Sequence, residues 1–438
     1  MKIRDYLEID FILILSIVIL LGIGIMFIYS SGINSSGVQV SSEYIRQIIW
    51  ASLGLALALV MGMINYRRFY NWSLYLYIFI LVPLLYTCIF GRVIHGTRWL
   101  RIGIFGIQVS EFAKITTIIF LARYLADTRK SGRPFIRFIV SCIIVFVPMG
   151  VVLVQPDLGT ALVFLPVLLT MTFIAGVSMR YVIFAASCIA FTGVFTVLPL
   201  WQTHILRKSL PVIVMLTNPR LVLIVVMVLS IIIGIALFGF LKYRKRYFFW
   251  MMYTGAIVVI SLGASFATRM MLKSYQIMRL IVFLDPNIDP RGAGWNIIQS
   301  VTAIGAGGVT GKGYLHGTQS HYRFLPEQST DFIFSIFSEE AGFIGGILVF
   351  VLFLVICLRF LRIMKTATDP FAVYICAGLA GVFSFHFLIN VGMAMGIMPI
   401  TGIPLLFMSY GGSSLFSAML GVGLALNIHV RRHEHQAI

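Results

Sequence analysis

The sequence predicts an all-α integral membrane protein, a polytopic helical bundle of about 12 transmembrane helices with both termini cytoplasmic. Three observations carry this. First, 60% of the 438 residues are hydrophobic, only 11% are charged, and the mean hydropathy is +0.99. A soluble domain could not bury that much apolar surface, whereas lipid solvates it. Second, the apolar residues fall into runs of roughly twenty, the length that a ~30 Å hydrocarbon core requires. Third, the basic residues sit in short clusters between those runs. That is the pattern of cytoplasmic loops beside an anionic leaflet, so the net charge of +18 does not point to nucleic acid.

Taken in order, the runs predict spans at 11–31, 44–64, 71–90, 109–126, 138–154, 158–176, 180–200, 220–240, 247–267, 332–359, 371–390 and 406–429. Each is read as helical because backbone groups in lipid must pair within the segment. Asp10 and the acids and bases before it precede the first run, and no small-residue cleavage site follows a short apolar core, so Phe11 to Ser30 reads as a retained helix. Arg67 and Arg68 follow the second span, and Arg129 to Arg137 the fourth. Lys242 to Arg246 follow the eighth, Arg359 to Lys365 the tenth, and Arg431 and Arg432 close the chain. All lie after even-numbered spans, hence on one side, which the positive-inside rule makes cytoplasmic. The segment 268–331 then falls outside, and it is long enough to be functional rather than a simple connection. The five cysteines all fall within apolar runs and read as small buried hydrophobes.

Nine of the fifteen acids, Glu43, Glu111, Asp157, Asp285, Asp289, Glu327, Asp331, Glu339 and Glu340, are placed outside or within the membrane. Acids there are expensive and mark candidate sites. In Asp285-Pro-Asn-Ile-Asp289-Pro-Arg-Gly-Ala-Gly-Trp295 each Asp precedes a proline, which holds it out of the helical region. Gly292 and Gly294 permit close backbone approach. A carboxylate on such a frame can act as a general base; a pair of Asx-type turns is the structural alternative.

Arg98, Trp99 and Arg101 precede Glu111 and Lys114, which share a helix face and can pair. The three cations could instead neutralise an anionic substrate. In Lys312 through Asp331, Ser329 or Thr330 reads as an N-cap and Asp331 as a partner of the helix dipole. Capping does not explain Glu339 and Glu340, two turns further on. The run Gly305 to Gly313 has no G-K-[ST], so a phosphate-binding reading fails. His316 and His321 specify no metal site.

Several of these stretches resemble the SEDS proteins (shape, elongation, division and sporulation). They are the Asp285 to Ser300 stretch, Gly313-Tyr-Leu-His-Gly-Thr-Gln-Ser320, Phe324-Leu-Pro-Glu-x-x-Thr-Asp-Phe332, Gln155-Pro-Asp-Leu-Gly-Thr160 and Glu111-Phe-Ala-Lys114. Gly396-Ile-Met-Pro-x-Thr-Gly-Ile-Pro404 and Ser409-Tyr-Gly-Gly-Ser413 complete the set. The His316 to Ser320 wording is closest to the elongation branch. The resemblance implies a single membrane domain over 1–438 and a peptidoglycan glycosyltransferase that polymerises undecaprenyl-linked lipid II outside the cytoplasmic membrane. It implies Asp289 as the essential aspartate, with Arg98, Trp99, Arg101, Glu111, Lys114, Asp157, Asp285, Lys312, Glu327 and Asp331 as substrate-binding candidates. A class B penicillin-binding protein and the cell-elongation machinery are the implied partners. A divalent ion, Mg or Mn, is the only cofactor entertained, and its ligands are unknown. The chain departs from the family's core of about ten spans by an extra hairpin, 209–267. A lipid II flippase or other transporter and a non-catalytic scaffold for cell-wall enzymes are the alternative functions.

Overall fold

In the computed structural model, residues 9–90, 99–102, 105–206, 210–211, 213, 216 and 218–433 are described. The helices are α1 (Phe11–Ser31), α2 (Glu43–Met63), α3 (Arg67–Phe90), α4 (Val109–Asp127), α5 (Pro134–Val154), α6 (Leu158–Leu162), α7 (Phe164–Ile174) and α8 (Met179–Trp201). They continue with α9 (Pro219–Tyr243), α10 (Arg246–Met271), α11 (Ser274–Leu284), α12 (Ala293–Gly307), α13 (Thr318–His321), α14 (Ile333–Thr366), α15 (Pro370–Ala394) and α16 (Gly412–Val430). Among the described residues, ten helices are long and apolar enough to cross a membrane. All twelve expected spans have helical counterparts. The two that fall short of that criterion are α4, which carries Glu111 and Lys114, and the 158–174 segment, which breaks at Val163 between α6 and α7.

The chain divides into two compact units, Met1–Gly176 with Trp295–Ile438, and Val177–Gly294. In the first, α2 packs on α16, α14 on α15 and α1, and α15 on α7 and α4. Helix α16 is its most enclosed span, with 78% of its apolar window buried. In the second, α8, α9 and α10 pack together and α11 lies against α8. Only 11% of the α9 window is buried. Its Leu223, Ile231 and Phe238 are exposed, as suits a lipid-facing helix.

The all-α membrane fold is borne out, and Trp99–Ile102 (β1) and Phe105–Gln108 (β2) add one short antiparallel hairpin to it. Four expectations are corrected. The last span begins at Gly412 rather than near 406; Pro404 lacks the N–H a helix needs, and Phe407 is left-handed at φ 68°. The N-cap of α14 is Phe332, not Ser329 or Thr330, because Glu327 at φ 50° turns the chain first and its carbonyl accepts the amides of Thr330, Asp331 and Phe332. Of the cysteines, Cys376 is buried and the other four are half-buried.

The fourth concerns α14, which is broken at Gly342 (φ 67°, ψ −165°). Glycine is the residue that tolerates this backbone. An unwound turn in a span would leave backbone groups unpaired at a cost of several kcal/mol each. Here the run 305–313 supplies the partners. Lys312 and Gly313 N–H donate to the Glu339 and Glu340 carbonyls at 3.0 Å each. Phe343 and Ile344 N–H donate to Gly308 and Val309 at 2.9 and 3.2 Å. A Cβ on Gly342 would lie 2.2 Å from the Gly311 nitrogen, and one on Gly307 would lie 2.0 Å from the Ser338 carbonyl oxygen. The glycine run is thus a backbone template for the broken span.

Candidate functional site

Asp285 and Asp289 do form turns. The Asp285 Oδ1 accepts the backbone and side-chain N–H groups of Asn287 at 3.0 and 3.2 Å, which shapes the 3-10 turn Pro286–Ile288. Asp289 lies four residues before α12's Ala293, whose N–H donates to its Oδ2 at 2.9 Å. Its backbone carbonyl accepts Gly292 and Gly294 N–H at 3.2 and 3.0 Å. The close approach that the glycines allow is to the chain itself. A Cβ on Gly292 would lie 2.2 Å from Asp289 Oδ2, and one on Gly294 would lie 2.2 Å from the Pro286 carbonyl oxygen. One carboxylate oxygen of Asp289 is therefore fixed at a helix start, while Oδ1 accepts no hydrogen bond from the described residues. The residue is half-buried. A held but incompletely satisfied carboxylate of this kind is suited to accept a proton.

Glu111 and Lys114 are both 2% exposed. Lys114 Nζ is 2.9 Å from both Glu111 oxygens and 3.1 Å from His386 Nε2. His386 Nδ1 lies 3.0 Å from the Pro404 carbonyl, and a carbonyl can only accept. Nδ1 is therefore the protonated nitrogen, and Nε2 accepts from the Lys114 ammonium. Ser417 Oγ donates to Glu111 Oε2 at 3.2 Å. The buried chain Ser417–Glu111–Lys114–His386 ends on the Pro404 carbonyl, which realises the paired reading of Glu111 and Lys114. His386 and Ser417 were not singled out from the sequence; each sits in an apolar stretch with no spacing signal.

Asp157 is buried at the start of α6. It accepts Thr160 N–H at 3.2 Å, Thr160 O–H at 3.0 Å and Gln108 Nε2 at 2.8 Å. Gln108 ends β2, and its N–H donates to Ser413 Oγ at 3.0 Å, so the hairpin is tied to α6 and α16. Trp99 is exposed on that hairpin. Arg98 and the Arg101 side chain lie outside the described residues.

Lys312 pairs with Glu339 at 2.6 Å. The same Oε1 accepts Thr318 N–H and O–H at 2.8 and 2.9 Å and Gln319 N–H at 3.1 Å. Glu340 accepts Ser30 Oγ at 2.5 Å and Leu315 N–H at 2.9 Å. His321 Nε2 stands 3.8 Å from Glu340 and makes no hydrogen bond. Burial lowers the His321 pKa; the Glu339 charge opposes that and His316 adds to it. Glu339 and Glu340 thus join Lys312 in one cluster. Glu327 and Asp331 are not in it: Thr330 Oγ donates to the Glu327 side chain at 3.2 Å, and the Asp331 carbonyl accepts Asn390 Nδ2 at 2.9 Å. Among the described residues, no group of three or more His, Cys, Asp or Glu is placed to hold a metal ion.

Fold and site define a polytopic helical membrane protein whose carboxylates are individually clamped by turns, helix starts and buried partners. The chain belongs to the FtsW/RodA/SpoVE family, described as cell cycle protein, whose profile matches residues 11–211 and 200–434. It is 48% identical to the peptidoglycan glycosyltransferase RodA of Treponema pallidum, over 99% of this chain and 100% of that one. It is 30% identical to the peptidoglycan glycosyltransferase MrdB of Escherichia coli K12, over 98% and 95%. A chain from a peptidoglycan synthase complex shares the fold at TM-score 0.66 and 24% identity, covering 97% of this chain and 99% of that one. The rod shape determining protein RodA of Thermus thermophilus does so at 0.59 and 21%, covering 98% and 99%.

Proposed function

We propose that this protein is a peptidoglycan glycosyltransferase that polymerises lipid II at the outer face of the cytoplasmic membrane during cell elongation, with Asp289 as general base. The names of the full-length relatives support the activity. The observation that supports the role is the Asp289 carboxylate, one oxygen held by Ala293 N–H and the other open. In the proposed step, Asp289 takes the proton of an acceptor sugar hydroxyl as that oxygen bonds to the donor's anomeric carbon. The bond from that carbon to the diphosphate oxygen breaks, and undecaprenyl diphosphate departs. A single displacement inverts the anomeric centre.

Charge on the leaving group needs cationic help. Lys114 is committed to Glu111 and His386, so Arg98 and Arg101 are the better candidates. The basic clusters after even-numbered spans support an outward position for 268–331. A class B penicillin-binding protein is the proposed cross-linking partner.

Incubation of the purified protein with labelled lipid II, with and without that partner, tests the reading. Glycan strands support it; translocation without polymer means a flippase, and neither product means a scaffold. Asp289→Asn keeps an acceptor for Ala293 N–H, so the fold should persist while polymer disappears. Asp285→Asn keeps its turn and should retain polymerisation. Polymer made by the folded Asp289→Asn protein overturns the assignment.

A further inference from the structure

From residue 158 to 284 the chain contains no Asp or Glu and eleven Lys or Arg. Within Val177–Gly294, helices α9 and α10 form an antiparallel hairpin of candidate spans. Lys242, Arg244, Lys245 and Arg246 stand at one end of it. At the other are Arg220, in the first turn of α9, Arg269, in the last turn of α10, and Lys273, at the start of α11. Arg269 Nη2 donates to the Leu216 carbonyl at 2.8 Å and ties this end together. Its Nε is buried without a partner. Arg279 folds back over the Tyr275 ring, 5.7 Å from its centroid, toward the start of α11. Among the described residues, none of these bases pairs with a carboxylate.

Whichever way the hairpin is oriented, one basic end faces away from the cytoplasm. The positive-inside rule accounts for only one such end. Uncompensated bases at the other require a different reason, and an anionic headgroup layer supplies one. The exposed Tyr275 is of the aromatic type that settles at headgroup level.

We propose that Arg220, Lys273 and Arg279, held in place by Arg269, form a docking surface for anionic phospholipid headgroups on the membrane face opposite Lys242–Arg246. The surface is independent of the transfer reaction.

The test is native mass spectrometry of the full-length protein titrated separately with phosphatidylglycerol and phosphatidylcholine. The Arg220→Gln, Lys273→Gln, Arg279→Gln variant should weaken phosphatidylglycerol retention by roughly fivefold per residue and leave phosphatidylcholine unchanged. A charge-retaining variant, Arg220→Lys, Lys273→Arg, Arg279→Lys, should restore retention and exclude a folding defect. Undiminished phosphatidylglycerol binding by the Gln variant overturns the proposal. So does selective displacement of the bound lipid by geranylgeranyl diphosphate, which would assign the surface to a lipid-linked diphosphate instead.

Discussion

Lys312 reaches across from the end of the glycine run to Glu339, placing Nζ 2.6 Å from a carboxylate whose side chain is fully buried. The lysine is 27% exposed, so the two partners lose different amounts on separation. Lys312→Met leaves a buried charge with only neutral donors, and removing one partner of a buried pair costs about 3–5 kcal/mol. Glu339→Gln leaves a cation that water can reach. Thermal unfolding in detergent should therefore show the larger drop for Lys312→Met.

Gly342 has no tolerable substitute where it stands. Gly342→Ala combines a forbidden backbone with a Cβ only 2.2 Å from Gly311 N, and should cost more than about 3 kcal/mol. Gly305 is helical with open space around its Cβ position. Gly305→Ala should be neutral or stabilising by up to about 1 kcal/mol. Melting midpoints of the two variants check the contrast.

The buried chain through Lys114 predicts non-additivity. Lys114→Met strands Glu111, and Glu111→Gln strands Lys114, each by about 3–5 kcal/mol. The double variant removes both charges and should lose clearly less than the sum. Unfolding free energies of the four proteins form the cycle that measures the coupling.

His321 gives the stability a pH dependence. Burial lowers its pKa, so the folded protein binds fewer protons there than the unfolded chain. Its contribution is complete above the unfolded value of about 6.5 and is lost as pH falls from there through the lower folded value. Melting midpoints should decline over that window, and His321→Gln should flatten the decline.

Spans were legible because lipid demands long apolar runs, and that demand is written residue by residue. Breaks were not. The run from Ile333 to Leu358 reads as one span despite Ser335, Ser338, Glu339 and Glu340 before Gly342, and nothing local announces that residues 305–313 will pair with it. The Asp-Pro frame was legible through its prolines, which fix the backbone locally. The companions of the Glu111–Lys114 pair were not, since packing brings His386 to Lys114 from 272 positions away in sequence and Ser417 to Glu111 from 306. The Ser329 or Thr330 cap failed because Glu327's left-handed turn, a non-glycine exception, claimed the amides of Thr330, Asp331 and Phe332 first.

The template for the broken span also fixes an order of events during synthesis. Residues 305–313 leave the ribosome about thirty positions ahead of Gly342, so the carbonyls of Gly308 and Val309 and the amides of Lys312 and Gly313 are already present when the break emerges. The interruption is therefore made after its partners, never before them.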